Sequence, residues 1–372
     1  MKTKTHLNIF ISVCVLFALT RLLAAATIVT FDAPGAGTGQ FQGTLVAGIT
    51  PAGVITGGYF DTNNVEHTYV RAPDGTFTSF DAPGAGTGQF QGTGPNGINP
   101  AGAITGNSSD PSYVFHGFVR AADGTITTFD APGAGTGQFQ GTIGFGINPA
   151  GVIAGNVVDP SHVFHGLVRD ANGAITPFDA PGAGTGPFQG TFMVDAGPIN
   201  PTGVIVGSVT DSNNVSHAYV RFADGTFTTF DVPGAGTGQF QGTVAYGINP
   251  AGAITGLYTD ANNVNHGFVR AANGTSTTFD APGAGTGPFQ GTQPLTINPQ
   301  GAIAGWYTDA SNVNHSFVRA ANGAITTFDA PGAGTGPGQG TQAFSGAINP
   351  VGAVAGSYID SNNVNHGFLR TP

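Results

Sequence analysis

Seven histidines, His67, His116, His165, His217, His266, His315 and His366, share one setting: each follows an Asp by six residues and precedes an Arg by four. The arginines so placed are Arg71, Arg120, Arg169, Arg221, Arg270, Arg319 and Arg370. Histidine beside a carboxylate is the material of a metal ligand set or of general acid–base chemistry. The periodicity argues for structure instead. A side chain that occurs once per repeat points in as many directions as there are repeats, so these histidines do not converge on one ion. The expectation is that the upstream Asp, for instance Asp159, accepts a hydrogen bond from His165 and pins its loop. The Arg is expected to form a repeated buried ion pair with the carboxylate of a nearby Phe-Asp. No metal and no catalytic residue is expected from this pattern.

Two further motifs carry weaker chemistry. Gly35-Ala36-Gly37-Thr38-Gly39 has the glycine content of a phosphate loop, but no helix follows, the motif is repeated, and no Lys lies beyond Lys4. Nucleotide binding is therefore rejected. Asp61-Thr62-Asn63-Asn64, with its counterparts at Asp211, Asp260 and Asp360, has the opening of a calcium loop but one carboxylate and neither the later Gly nor the Glu. Asp110-Pro111-Ser112 and Asp159-Pro160-Ser161 lack even the Asn pair. No cofactor is expected, calcium being the one alternative.

Function in a repeated chain should show where the repeats differ. Tyr59, Tyr258, Trp306 with Tyr307, and Tyr358 precede their loop aspartates, where the remaining units have Ser108, Val157 and Val209. Aromatic faces beside Asn, Gln and Asp loops suit stacking and hydrogen bonding to sugars. Packing between units is the competing reading for each Tyr, and Trp306 is the first residue to test. An enzymatic alternative, a lyase or glycosidase, would draw on Asp195 in the one lengthened loop. No triad, no asymmetric pair of carboxylates and no sialidase-type Asp box accompanies it.

The elements that must position these residues follow from composition and period. Of 372 residues, 62 are Gly and 25 Pro, and 8% are charged against roughly 25% in ordinary domains. Such a chain disfavours helices and favours short strands joined by tight turns, while 40% hydrophobic content supplies a core. Phe-Asp-Ala-Pro-Gly-Ala-Gly begins at Phe31 and recurs from Phe80, Phe129, Phe178, Phe230 (with Val232), Phe279 and Phe328, at spacings of 49, 49, 49, 52, 49 and 49. The excess falls around Met193-Val194-Asp195. Repeats of this length suggest propellers or solenoids.

Each unit reads as four strands. In the third they are a stretch ending at Gly146-Ile147, Val152 to Val157, His165 to Arg169, and Ala174 to Phe178 after an Asn172-Gly173 hairpin turn. The repeats open at Thr27 with a fourth strand and end at Arg370 with a third. A seven-bladed β-propeller is therefore predicted, with four antiparallel strands per blade and the N-terminal strand completing the last one. Asp32 to Thr44 is then the crossover between blades, on the same face as the loops between strands two and three.

Gly-Ile-Asn-Pro-Ala-Gly-Val-Ile-Ala-Gly followed by His-Gly-Leu-Val-Arg resembles the bacterial HAF extracellular repeat family, over residues 27 to 372. Relatives of its His-Ala-Phe signature stand at His67-Thr68-Tyr69, His116-Gly117-Phe118, His217-Ala218-Tyr219 and His315-Ser316-Phe317. The resemblance implies a secreted repeat protein and brings no defined catalytic residues. Lys2 and Lys4, an apolar run from Leu7 to about Leu19, and Ala24-Ala25-Ala26 have the layout of a secretory signal, with cleavage expected before Thr27. That step would remove the one cysteine, Cys14, and leave seven basic residues against 20 acidic ones. Nucleic acid and anionic membranes are poor partners for such a charge. The sequence thus points to a secreted, non-enzymatic binding or surface-interaction module, with a glycan or a surface protein as partner. A purely structural or adhesive role is the further alternative.

Overall fold

The computed structural model describes residues 26–193, 197–343 and 348–372. The expected leader with Cys14, and Asp195, lie outside them. Among the described residues there is no helix; 29 strands of two to seven residues join one hydrogen-bonded sheet.

One unit shows why the sequence folds this way. Gly141–Ile147 pairs antiparallel with Ile153–Val158, which pairs with Phe164–Arg169, which pairs with Ile175–Phe178. The predicted strands two to four start within one residue of these. Strand one bulges between Gly144 and Gly146, which adds local twist. Strand four pairs on one side only, so Pro177, opposite Leu167, costs no ladder bond on its free side. Strand two is buried along its whole length, from Ile153 to Val158, and strand three in its middle; Ile153 and Leu167 here, and Ile254 and Phe268 two units later, are all at 0–1% exposure. The position after each histidine is small, as at Gly166 and Gly367, because the strand-four Phe covers it. A Cβ on Gly367 would lie 2.3 Å from Phe31.

Units are joined by three devices. Gly141, at φ 122°, pairs in parallel with Phe115 of the preceding unit, and a Cβ there would lie 2.0 Å from the Phe115 carbonyl oxygen. Only glycine fits both the dihedral and the space. The threonine after it, Thr142, accepts a hydrogen bond from the Ala131 N–H at 2.9 Å. At the other end, the Asn of each Asn-Pro turn accepts two N–H groups of its own turn, and Asn99, Asn148, Asn249, Asn298 and Asn349 also donate their amides to the next turn. Asn99 donates to the Asn148 carbonyl, Asn148 to Asn200, Asn249 to Asn298 and Asn298 to Asn349. Asn349 donates to Thr50 at 3.4 Å, across the ends of the repeat array. Thr27–Phe31 pairs antiparallel with Asn365–Thr371, and Gly43 with Asn365 in parallel. The sheet is therefore closed and propeller-like, and its N-terminal strand completes the set begun by the C-terminal ones.

Candidate functional site

The crossover face carries a partly exposed His–Asp pair in each repeat and, in the crossovers, exposed rings. Each repeat histidine donates from Nδ1 to the Asp that follows the strand-four Phe, at 2.8–3.0 Å: His165 to Asp179, and His366 to Asp32 across the closure. The expected partner, the loop Asp, stands 3.6–3.9 Å from Nε2. The antiparallel register is the reason. Gly166 lies opposite Phe178, which puts Asp179 beside His165. The loop Asp is occupied by its own loop: Asp159 Oδ1 accepts the Ser161 and Val163 N–H groups, both at 2.8 Å. Burial pushes the carboxyls of Asp61, Asp211, Asp260 and Asp360 up. Hydrogen bonds from the backbone two and four residues on, and from the neighbouring Asn amide, outweigh it and hold them below the ordinary carboxylate value. Among the described residues no group of His, Cys, Asp and Glu is placed to hold a metal.

The same register overturns the expected arginine ion pair. Arg169 sits opposite Ile175, at the far end of the hairpin from Asp179. The carboxylate after the strand-four Phe pairs with histidine. Each guanidinium instead lies over the strand-four Phe of the preceding unit, at 4.4–5.0 Å from the ring centroid.

The tyrosines singled out by sequence are packing groups. Tyr59, Tyr258, Tyr307 and Tyr358 are 7–9% exposed and stack on His67, His266, His315 and His366 with centroids 4.9–5.1 Å apart. Burial, then the nearby Asp charges, push the hydroxyls of Tyr258, Tyr307 and Tyr358 up. Rings closed over in this way offer no face to a sugar, which corrects the expectation for these four. Trp306 is half-buried, paired across the sheet with Gln293 and Ser316 on the side of its strand away from Tyr307.

The exposed aromatics stand elsewhere. Phe41, Phe90, Phe139, Phe188, Phe240 and Phe289, in the crossovers, are 54–68% exposed. All six have φ of 60–65°, a left-handed conformation that a bulky residue adopts at a cost of about 1–2 kcal/mol. The corresponding residue of the remaining crossover is Gly338, at φ 78°. Each N–H in this position donates to the carbonyl of a loop residue in the preceding unit at 2.7–2.8 Å: Phe41 to Asn363, Phe90 to Asn64, Phe139 to Tyr113 and Phe188 to His162. The crossover is braced by the next residue, Gln, whose Oε1 accepts a glycine N–H while its Nε2 reaches the adjacent loop, as in Gln140 to Gly137 and to the Pro160 carbonyl. Some of these rings have an aromatic companion: Phe90 lies 6.5 Å from Phe60, Phe139 5.9 Å from Tyr113, and Phe188 5.7 Å from His162. Sequence reasoning passed over these phenylalanines as linker. The signal was a large apolar residue recurring within a Gly- and Gln-rich crossover.

No protein-family model and no curated protein matches the chain. Solved structures do. The BP39L lectin of Burkholderia pseudomallei is 10% identical, with a TM-score of 0.52 over 92% of this chain and 95% of that one. AofleA of Arthrobotrys oligospora is 12% identical, with a TM-score of 0.47 over 81% and 90%. Dipeptidyl peptidase 4 of Porphyromonas gingivalis is 9% identical, with a TM-score of 0.41 over 75% of this chain; the match spans 44% of that protein's length. At such identity the likeness to BP39L is one of fold, the closed propeller-like sheet already described.

Proposed function

We propose that the chain is a secreted, seven-bladed, non-enzymatic binding module of the HAF-repeat kind, whose crossover face takes an extracellular glycan. The observation that carries this reading is the set of six exposed phenylalanines held in left-handed backbone. Glycine serves the same turn at Gly338, so the fold alone does not require a phenyl ring there. A ring kept exposed and strained six times points to what it contacts outside the chain. Sugar faces stack on such rings, and the surrounding Asn and Gln loops supply donors and acceptors for hydroxyls. That a solved structure of like fold is a lectin agrees with it. Repetition makes single sites of modest strength sufficient, because several engage one polymer together.

Binding of the purified protein to a panel of glycans and polysaccharides, with and without calcium, tests the reading. Saturable binding that falls stepwise as Phe41, Phe90, Phe139, Phe188, Phe240 and Phe289 are changed to Gly is the expected result. Binding that survives all six changes but is lost in Trp306→Ala would move the site to strand two. No binding across the panel would sink the glycan reading in favour of a structural role.

A further inference from the structure

At the opposite ends of the strands the seven arginines are not equivalent. In three units the turn between strands three and four places a carboxylate beside the Arg: Asp74 by Arg71, Asp123 by Arg120 and Asp224 by Arg221. Hydrogen bonds from Thr76, Thr125 and Thr226, and to a lesser degree the arginine charge, hold these carboxyls below the ordinary value. At Arg270 and Arg319 the same turn position is Asn273 and Asn322. There desolvation by burial is what lowers the guanidinium pKa, with no carboxylate acting on it. The Asn keeps the turn: the Thr275 N–H donates to Asn273 Oδ1 at 3.0 Å, as the Thr226 N–H does to Asp224 Oδ1 at 2.9 Å. What it withholds is the negative charge.

Beside Arg270 that vacancy of charge coincides with space. A cavity of about 230 Å³ opens between consecutive units, with Arg270 and Asn273 in its lining and walls that include Val204, Val220, Phe222 and Ile254. The guanidinium lies 4.4 Å from the centroid of the Phe230 ring, which fixes its plane and leaves its edge for a partner. A half-buried cation without a counter-charge is unfavourable, and a planar guanidinium matches a carboxylate through two parallel hydrogen bonds. We infer that this cavity binds a carboxylate-bearing ligand with a compact, partly apolar body. Arg270 takes the carboxylate, the Asn273 amide nitrogen donates to it, and the apolar walls cover the body. A uronic acid residue and the C-terminal carboxylate of a peptide both supply this chemistry. The site is separate from the crossover face and does not depend on the glycan reading of it.

The test is titration of the purified full-length protein with glucuronate and with N-acetylvaline, read by calorimetry, with glucose, N-acetylvalinamide and inorganic phosphate as controls. Saturable binding of at least one carboxylate and of neither neutral analogue is expected. Binding by glucuronate alone or by N-acetylvaline alone assigns the source. Arg270→Met should abolish it. Asn273→Asp, which reproduces the turn the fold already uses at Asp224, should weaken it at least about ten-fold, the scale of losing one charged hydrogen bond. Phe240→Gly should leave it unchanged. Failure of both carboxylates to bind, equal binding of phosphate, or undiminished binding in folded Asn273→Asp would overturn the proposal.

Discussion

The two faces of the sheet handle charge in opposite ways. On the crossover face every repeat carboxylate is engaged: Asp179 by His165, Asp159 by its own backbone N–H groups. What faces solvent there is phenyl ring, amide and the outer side of the paired carboxylates. On the other face the arginines rest on rings, and only some have a carboxylate nearby. One repeated sequence thus yields a face of exposed rings and histidine-paired carboxylates and, beside Arg270, a cleft that is cationic by omission. A repeat can carry two chemistries because strand alternation and register send neighbouring residues to opposite ends of the same hairpin.

The contrast can be broken or sharpened by mutation. The largest effect is expected for Gly141→Ala, whose Cβ would strike the Phe115 carbonyl. It should destabilise by about 3 kcal/mol in urea unfolding, the upper range for overpacking, and a change under half of that would show the seam to be softer than drawn. Next, Asp159→Ala removes the acceptor of two loop N–H groups; by analogy with a helix cap it should cost about 1–2 kcal/mol. Arg270→Met should move stability by less than about 1 kcal/mol, the worth of one cation–ring contact. A loss of about 3–5 kcal/mol would instead reveal a buried ion pair. Phe240→Gly should be near neutral, since relief of about 1 kcal/mol of backbone strain is offset by the freedom glycine adds to the unfolded chain. A marked loss of stability there would mean the ring is structural.

Acid gives the smallest, most distributed effect. Asp61, Asp211, Asp260 and Asp360 have folded pKa values below those of the unfolded chain. Their contribution is complete above the ordinary carboxylate pKa of about 3.9 and is lost as pH falls through the folded values. Stability against thermal unfolding should therefore fall below about pH 4, and the Asn variants of these four should flatten that limb.

Much of the fold was legible because a period is a global signal read locally. The spacing of Phe31, Phe80 and their successors fixed the units, Asn-Pro and Asn-Gly marked turns, and the phase of Thr27 against Arg370 implied closure. The partners of His165 and Arg169 were not legible. They are set by the register of strands three and four, and a shift of a few residues exchanges which cation meets Asp179. The covering of Tyr258 and the exposure of Phe240 were hidden for a related reason. Whether a ring is covered depends on alternation and on a backbone turn, and neither is visible in residue type. The amide bonds from one Asn-Pro turn to the next, as from Asn99 to Asn148, were likewise unreadable, since each Asn looks like an ordinary turn residue until the next turn is stacked upon it.

The latch between Thr27–Phe31 and Asn365–Thr371 has a mechanical consequence. Because the pair is antiparallel, with Thr27 opposite Thr371 and their hydroxyls 2.6 Å apart, tension applied at residues 27 and 371 would peel its hydrogen bonds one after another rather than load them together. We expect the ring to open by unzipping at low force, and single-molecule pulling through these two residues, compared with pulling through residues 31 and 371, would show whether it does.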